Sequence, residues 1–157
     1  MSIRKGQTFT YDFFIASSIF LIVLILVMSN WYFSIIQTQE TIQRNHALNT
    51  LFSASEVWFK DGYPRFWDVE NVVELGLSND GTINKTKMEL LNSLGYSEVL
   101  SLLNSDFNLC YEIWKNGSLV FRFPQHVDLD SAKNVYKLER IGILDEQPVK
   151  VVTLVWK

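Results

Sequence analysis

Only one cysteine, two histidines and three prolines occur in the 157 residues of this chain. A single cysteine closes no disulfide within the chain, so no disulfide framework supports the fold. Two histidines and one thiol are too few for an ordinary structural zinc site. Fourteen basic residues stand against 17 acidic ones, a formal charge of −3, and no block of five like charges occurs. Nucleic acid is therefore not an expected partner, because affinity for phosphates needs a basic excess. Glycine-rich phosphate loops, Gly-x-Gly-x-x-Gly and Gly-x-Ser-x-Gly are all missing. No catalysis is expected without such motifs, and no cofactor. At 48% apolar residues the chain is too hydrophobic for a disordered tail.

Charge is missing from one long stretch altogether: none lies between Asp12 and Glu40. Phe13 to Ile36 is almost wholly apolar, with Ser17, Ser18, Ser29, Asn30 and Ser34 as its polar members. A bilayer core takes about 20 apolar residues as a helix, so residues 13–36 are long enough to span one. Trp31, Tyr32 and Phe33 sit near the far end, as an interfacial aromatic belt does. A globular remainder of this size hardly surrounds a helix apolar on every side. Arg4 and Lys5 precede the run, which puts the N-terminus in the cytoplasm and residues 40–157 outside, by the positive-inside rule. A secretory signal would end in a small-x-small site, whereas this run ends Asn30-Trp31-Tyr32-Phe33.

Beyond the membrane the helix is expected to continue. Gln37 to Lys60 holds no proline or glycine, and Ile42, Leu48, Leu51, Phe52, Ser55 and Trp58 or Phe59 make a stripe of roughly helical period. Packing against a head domain accounts for that stripe. Asp61-Gly62-Tyr63-Pro64 stops the helix. From Thr10 to Lys60 it would measure roughly 75 Å.

The remainder reads as mixed structure. Tyr63 to Trp67 is an aromatic loop, and Ser78 to Thr82 a turn cluster. Thr86-Lys87-Met88-Glu89 reads as a capping box opening a helix through Leu94, broken by Gly95. Ser97 to Leu103 adds another helical turn or two. From Asn108 the period falls to two. Leu109, Tyr111 and Ile113 alternate with Cys110, Glu112 and Trp114. Asn116-Gly117 is a strong hairpin signal, followed by Leu119, Phe121 and Phe123 on one face. Val135 to Leu144 and Val149 to Trp156 form a second strand pair across Asp145 to Pro148. The expected class is α+β, with a long N-terminal helix and a head carrying about four antiparallel strands.

Arg4-Lys5-Gly6-Gln7 is a short basic leader ending in glycine, followed by a polar stretch, an acid and the apolar run. This resembles the class III signal peptide of archaeal type IV pilin-like proteins. The resemblance implies a cut by a prepilin peptidase between Gly6 and Gln7, on the cytoplasmic side, with the apolar segment retained. The family usually has an acid at the fifth mature position; here that position is Tyr11, and Asp12 is the sixth. The order of Gly62-Tyr63-Pro64 with Trp67, then Leu75-Gly76-Leu77, then Ile83-Asn84-Lys85, resembles the heads of archaeal pilin-like proteins. The resemblance implies a division into leader 1–6, long helix 7–60 with 13–36 in the membrane, and extracellular head 61–157. It also implies as partners other pilin subunits, an assembly platform protein in the membrane, and the lipid bilayer. A carboxylate at the edge of a span is costly unless paired, and in the family it is thought to meet a neighbour's amino terminus. Asp12 is the acid available for that role.

Other reactive groups have plainer accounts. His46 is a surface residue on the long helix, His126 a loop residue after Pro124, and Cys110 a small buried hydrophobe. Asp128, Asp130 and Glu139 match positions one, three and twelve of a calcium loop. Ala132 and Lys133 occupy positions five and six, where an oxygen ligand and a glycine are needed, so solvated turn acids are the better account. Asn84-Lys85-Thr86 and Asn116-Gly117-Ser118 are N-glycosylation sequons at turns on the external side, and Asn84 doubles as a cap or turn residue. Two functional classes follow. One is a filament subunit, major or minor, serving adhesion, motility or secretion. The other is a single-pass anchored extracellular binding module that never polymerises. An archaellum subunit shares the leader, but the head is short of the glycine, alanine and threonine usual there.

Overall fold

The computed structural model describes the backbone of residues 4–157 and the side-chain surroundings from Tyr11 onward. Helix α1 runs Arg4–Glu56. No glycine or proline interrupts it between Gly6 and Gly62, so nothing in that stretch removes a backbone donor or loosens the chain. The chain divides into two compact units, 1–44 and 45–157. The described part of the first is helix alone, exposed at nearly every residue.

The second unit is α+β. Its elements are the end of α1, a two-stranded ribbon of β1 (Ser78–Asn79) and β2 (Thr82–Ile83), helices α2 (Lys85–Ser93) and α3 (Tyr96–Leu102), and four strands. These are β3 (Asn108–Lys115), β4 (Ser118–Phe123), β5 (Val135–Leu144) and β6 (Gln147–Trp156). They form one antiparallel sheet in the order β4-β3-β6-β5. The four expected strands are present, and the ribbon adds a second sheet inside what reads as a turn cluster. Asn116 and Gly117 both take positive φ (51° and 80°), the two left-handed residues that a tight hairpin between twisted strands requires. The β5–β6 turn does the same with Asp145 and Glu146, so β6 begins at Gln147, two residues before the expected Val149. Pro148 fits there because β3 pairs with β6 only as far as Lys150, leaving that side of the strand an edge.

Leu109, Tyr111 and Ile113 of β3 share the inner face with Val149, Val151, Thr153 and Val155 of β6. Against this face pack Ala47, Leu51 and Ala54 of α1 with Leu91 of α2 and Val99 of α3. Trp58 closes the centre. Its Nε1 donates to Thr153 Oγ1 at 3.1 Å, its ring meets Tyr111 edge-on, and the Tyr111 hydroxyl donates to the Ala54 carbonyl at 2.9 Å.

Several local expectations shift. The expected helix end at Lys60 moves back to Glu56: Val57, Trp58 and Phe59 bond to carbonyls three residues back and turn inward. In the stripe, Leu51, Ser55 and Trp58 are buried, but Ile42 and Phe52 are exposed. The capping box at Thr86 is replaced by Asn84, whose side chain accepts from Lys87 N, starting α2 two residues earlier. Gly62 and Gly76 lie back to back: a Cβ on Gly76 would sit 2.2 Å from the Gly62 nitrogen. That close approach, with Gly62 at φ +78°, admits no side chain on either residue.

Candidate functional site

Among the described residues, α1 is the one helix long and apolar enough to cross a membrane. None of its most apolar window is buried. Phe20, Ile25, Leu26 and Trp31 are each more than 60% exposed, on all sides of the helix. An apolar surface this continuous has to be covered by lipid or by other helices, since water would charge roughly 25 cal/mol for each Å² left open. Residues 13–36 therefore form the chain's most distinctive surface.

Polar groups along this segment are handled within the helix. The Ser18 hydroxyl donates to the Phe14 carbonyl at 2.8 Å, and Thr38 to the Ser34 carbonyl at 2.8 Å. Such back-bonding lets a hydroxyl enter an apolar surrounding at little cost. Asp12 is exposed on α1 at the near edge of the apolar run. Of Gly6 and Gln7 only the helical backbone is given; their side chains lie outside the described residues, and Met1 to Ile3 lie outside altogether.

The sequons differ in setting. Asn116 is exposed at the tip of the β3–β4 hairpin. Asn84 is half-buried with its Oδ1 occupied as the α2 cap at 3.2 Å from Lys87 N.

No cluster of three metal-ligating side chains occurs among the described residues. Asp128 is spent on an Asx turn, accepting from Asp130 N, while Glu139 on β5 is held by Lys137 and Lys150 at 2.6 and 3.4 Å. The lysines hold the Glu139 carboxyl below its usual range through hydrogen bonds and charge. His46 is exposed beside the Phe107 ring, and His126 is exposed. Cys110 is fully buried on the outer face of the sheet. Burial, and secondarily the Glu112 carboxylate, push its thiol up to about 12. A thiol kept protonated in this way is not a nucleophile.

Two buried ionic groups escaped the sequence reading. Lys87 is nearly fully buried, and its ammonium donates to the Asp61 and Ser78 carbonyls at 2.5 and 2.8 Å. Burial lowers its pKa, against the opposing charge of Asp61 and with that of Arg65. It ties α2 to the segment after α1. Glu112 is buried on β3, receiving Arg122 Nε and Trp114 Nε1 at 2.9 and 2.8 Å. Arg122 sits directly opposite in register, which was the available signal for that pair. Both groups are satisfied struts with no open face for a substrate. The chain matches no family model, no curated protein and no solved structure.

Proposed function

We propose that this chain is a structural subunit of an archaeal type IV pilus-like surface filament, polymerising through α1 after a prepilin peptidase removes residues 1–6. The observation that carries this reading is a membrane-length helix with none of its apolar window buried, followed by a folded α+β unit. Such a helix has two coverings available, lipid before assembly and neighbouring copies after it. The basic leader ending at Gly6 and the acid at Asp12 supply the sequence side of the argument. In this reading residues 45–157 lie outside the cell, and Asp12 pairs with the new amino terminus at Gln7 of a neighbour. The assembly platform protein extracts subunits from the bilayer. The chain carries no catalysis of its own. Asn116, exposed at its hairpin tip, is the better glycan acceptor of the two sequons.

The test is the intact mass of the protein sheared from cells. A chain beginning at Gln7 is expected, and Gly6→Val leaves the precursor uncut. Asp12→Ala inserts and is cleaved but is depleted from the sheared filament fraction. A surface protein that keeps Met1 or Ser2 and never enters sheared filaments is instead a single-pass anchored binding module.

A further inference from the structure

The chain itself covers the outer face of the four-stranded sheet at one end. There Val127 and Ala132, in the segment after β4, pack over Cys110, Val152, Leu154 and Trp156. At the other end one row crosses all four strands: Leu119 of β4, Trp114 of β3, Lys150 of β6 and Ile141 of β5. Ile141 is 77% exposed, and Ile143, two residues on, 49%. A β-bulge brings Leu119 into this row. Between the pairs Ile113–Phe121 and Trp114–Leu119, β4 carries one extra residue, Val120. Leu119 therefore leaves the face of Phe121, where plain alternation would put it, and stands opposite Trp114. The Trp114 ring is held in place. Its Nε1 donates to Glu112 Oε2 at 2.8 Å, and the Lys150 ammonium lies 5.8 Å from its centre. Two residues past Trp114, at the hairpin tip, the exposed Asn116 opens the sequon Asn116-Gly117-Ser118. Two residues span at most about 7 Å, so a group carried on the Asn116 side chain reaches the ring.

We propose that an N-linked glycan on Asn116 covers this end of the sheet, its first sugar lying against Trp114 and Leu119. The inference rests on the external placement of the head in the reading above. The donor is a lipid-linked oligosaccharide phosphate. Asn116 Nδ2 takes its anomeric carbon: a C–N bond forms and the C–O bond to phosphate breaks. The lipid phosphate leaves with the electron pair, and the amide gives up one proton. A pyranose has an apolar C–H face and a polar rim. The C–H face suits the face of an indole, whose quadrupole attracts partly positive hydrogens. The rim hydroxyls meet the Lys150 ammonium, half-exposed one strand away. Lys150 and its partner Glu139 interrupt the apolar row, which suits an amphipathic sugar better than an apolar protein surface. Tethering does the rest. A sugar bonded two residues from the ring is present at high effective concentration, so a contact too weak to hold a free sugar holds this one. The second sequon is built differently. Thr82 stands two residues before Asn84, and the Asn84 side chain already caps α2.

The test uses the full chain taken from its own cells. Glycopeptide mass spectrometry is expected to find the glycan on Asn116. Asn116 is itself a turn residue at φ 51°, so the sequon is removed with Ser118→Ala instead. Hydroxyl-radical oxidation of Trp114, read by mass, is expected to be several-fold slower in the glycosylated chain than in Ser118→Ala. In denaturant melts of the detergent-solubilised chain, Ser118→Ala is expected to move the head's folding equilibrium roughly twofold to tenfold toward unfolded, the size of one aromatic stacking contact. Added to Trp114→Leu it is expected to move it little, and added to Trp114→Phe to keep most of the shift. Equal Trp114 oxidation with and without the glycan overturns the docking, as does an equal Ser118→Ala shift in the native and Trp114→Leu chains. Protection of Trp114 in Ser118→Ala filaments to the level of glycosylated ones makes a neighbouring copy the cover and overturns the proposal. An unmodified Asn116 on filament chains starting at Gln7 overturns this inference and leaves the filament reading standing. A docked glycan on a chain that keeps Met1 and stays out of filaments upholds this inference and overturns the filament reading.

Discussion

Residues 13–36 and residues 45–56 lie on one continuous helix, yet the two stretches keep their apolar side chains in opposite states. In the first, Phe, Ile, Leu and Trp are exposed all round. In the second, Ala47, Leu51 and Ala54 are almost fully buried against the sheet, while Phe52 and Glu56 face out. Helical backbone is common to both; the covering differs. The first stretch presents apolar groups in every direction and has to find its covering outside the unit. The second presents one apolar face and finds its covering within the unit. A single secondary-structure element thus carries two kinds of surface.

The largest test of this contrast is where the head can be cut. A fragment of residues 45–157 keeps Ala47, Leu51, Ala54 and Trp58 and is expected to fold cooperatively in water. A fragment of residues 61–157 loses all four from its core and is expected to remain unfolded, read by near-ultraviolet circular dichroism and amide exchange. A folded 61–157 fragment would make the end of α1 dispensable and break the comparison.

A single residue gives the next effect. Trp58→Ala removes a fully buried indole and its bond to Thr153, and is expected to destabilise the head by about 3–5 kcal/mol. Leu24→Ala, on the same helix but outside the head, is expected to leave the head's denaturant midpoint where it was.

Alkali separates the two regions again. Burial raises both the Cys110 thiol, to about 12, and the Tyr111 hydroxyl in the folded head. Unfolded, these groups ionise near their ordinary values of 9.0 and 10.0. Above those values the unfolded chain has lost protons that the folded head keeps. Head stability therefore holds below about pH 9 and falls as pH rises toward 12, by up to about 1.4 kcal/mol per pH unit for each group. Cys110→Ala should flatten the lower part of that slope in melts taken at successive pH values. A slope unchanged by the substitution would locate the alkaline loss elsewhere.

The smallest effect is at a cap. Asn84→Ala is expected to cost about 1 kcal/mol, because the first turn of α2 loses the acceptor for Lys87 N. Asn84→Ser restores most of it. The readout is the same denaturant midpoint, and a loss below a few tenths of a kcal/mol would show that the buried Lys87 alone sets the start of α2.

Much of this architecture was legible because local signals are strong where periodicity is strong. The uncharged run reads as a helix long and apolar enough to cross a membrane, and Asn116-Gly117 as a tight hairpin. β3 and β4 were readable from their alternation. Less was legible where long-range contacts decide. Nothing local says that the helix stops at Glu56 rather than Lys60, because the stop is set by Trp58 turning toward Thr153 and Tyr111. The β1–β2 ribbon has two-residue strands, too short to carry a pattern. Lys87 reads as a surface lysine of a short helix, and only the fold brings the Asp61 and Ser78 carbonyls to it.

The sequence by itself determined the division between an all-round apolar helix segment and a head, the α+β class and the strand pairing by hairpins. Those depend on composition, period and turn chemistry, which act over a few residues. Tertiary structure alone decided which turns of α1 the head claims and where that helix ends. It also decided why Gly62 and Gly76 admit no side chain, and which charged groups lie buried. These depend on residues far apart in sequence meeting at van der Waals distance, and no window along the chain contains both partners.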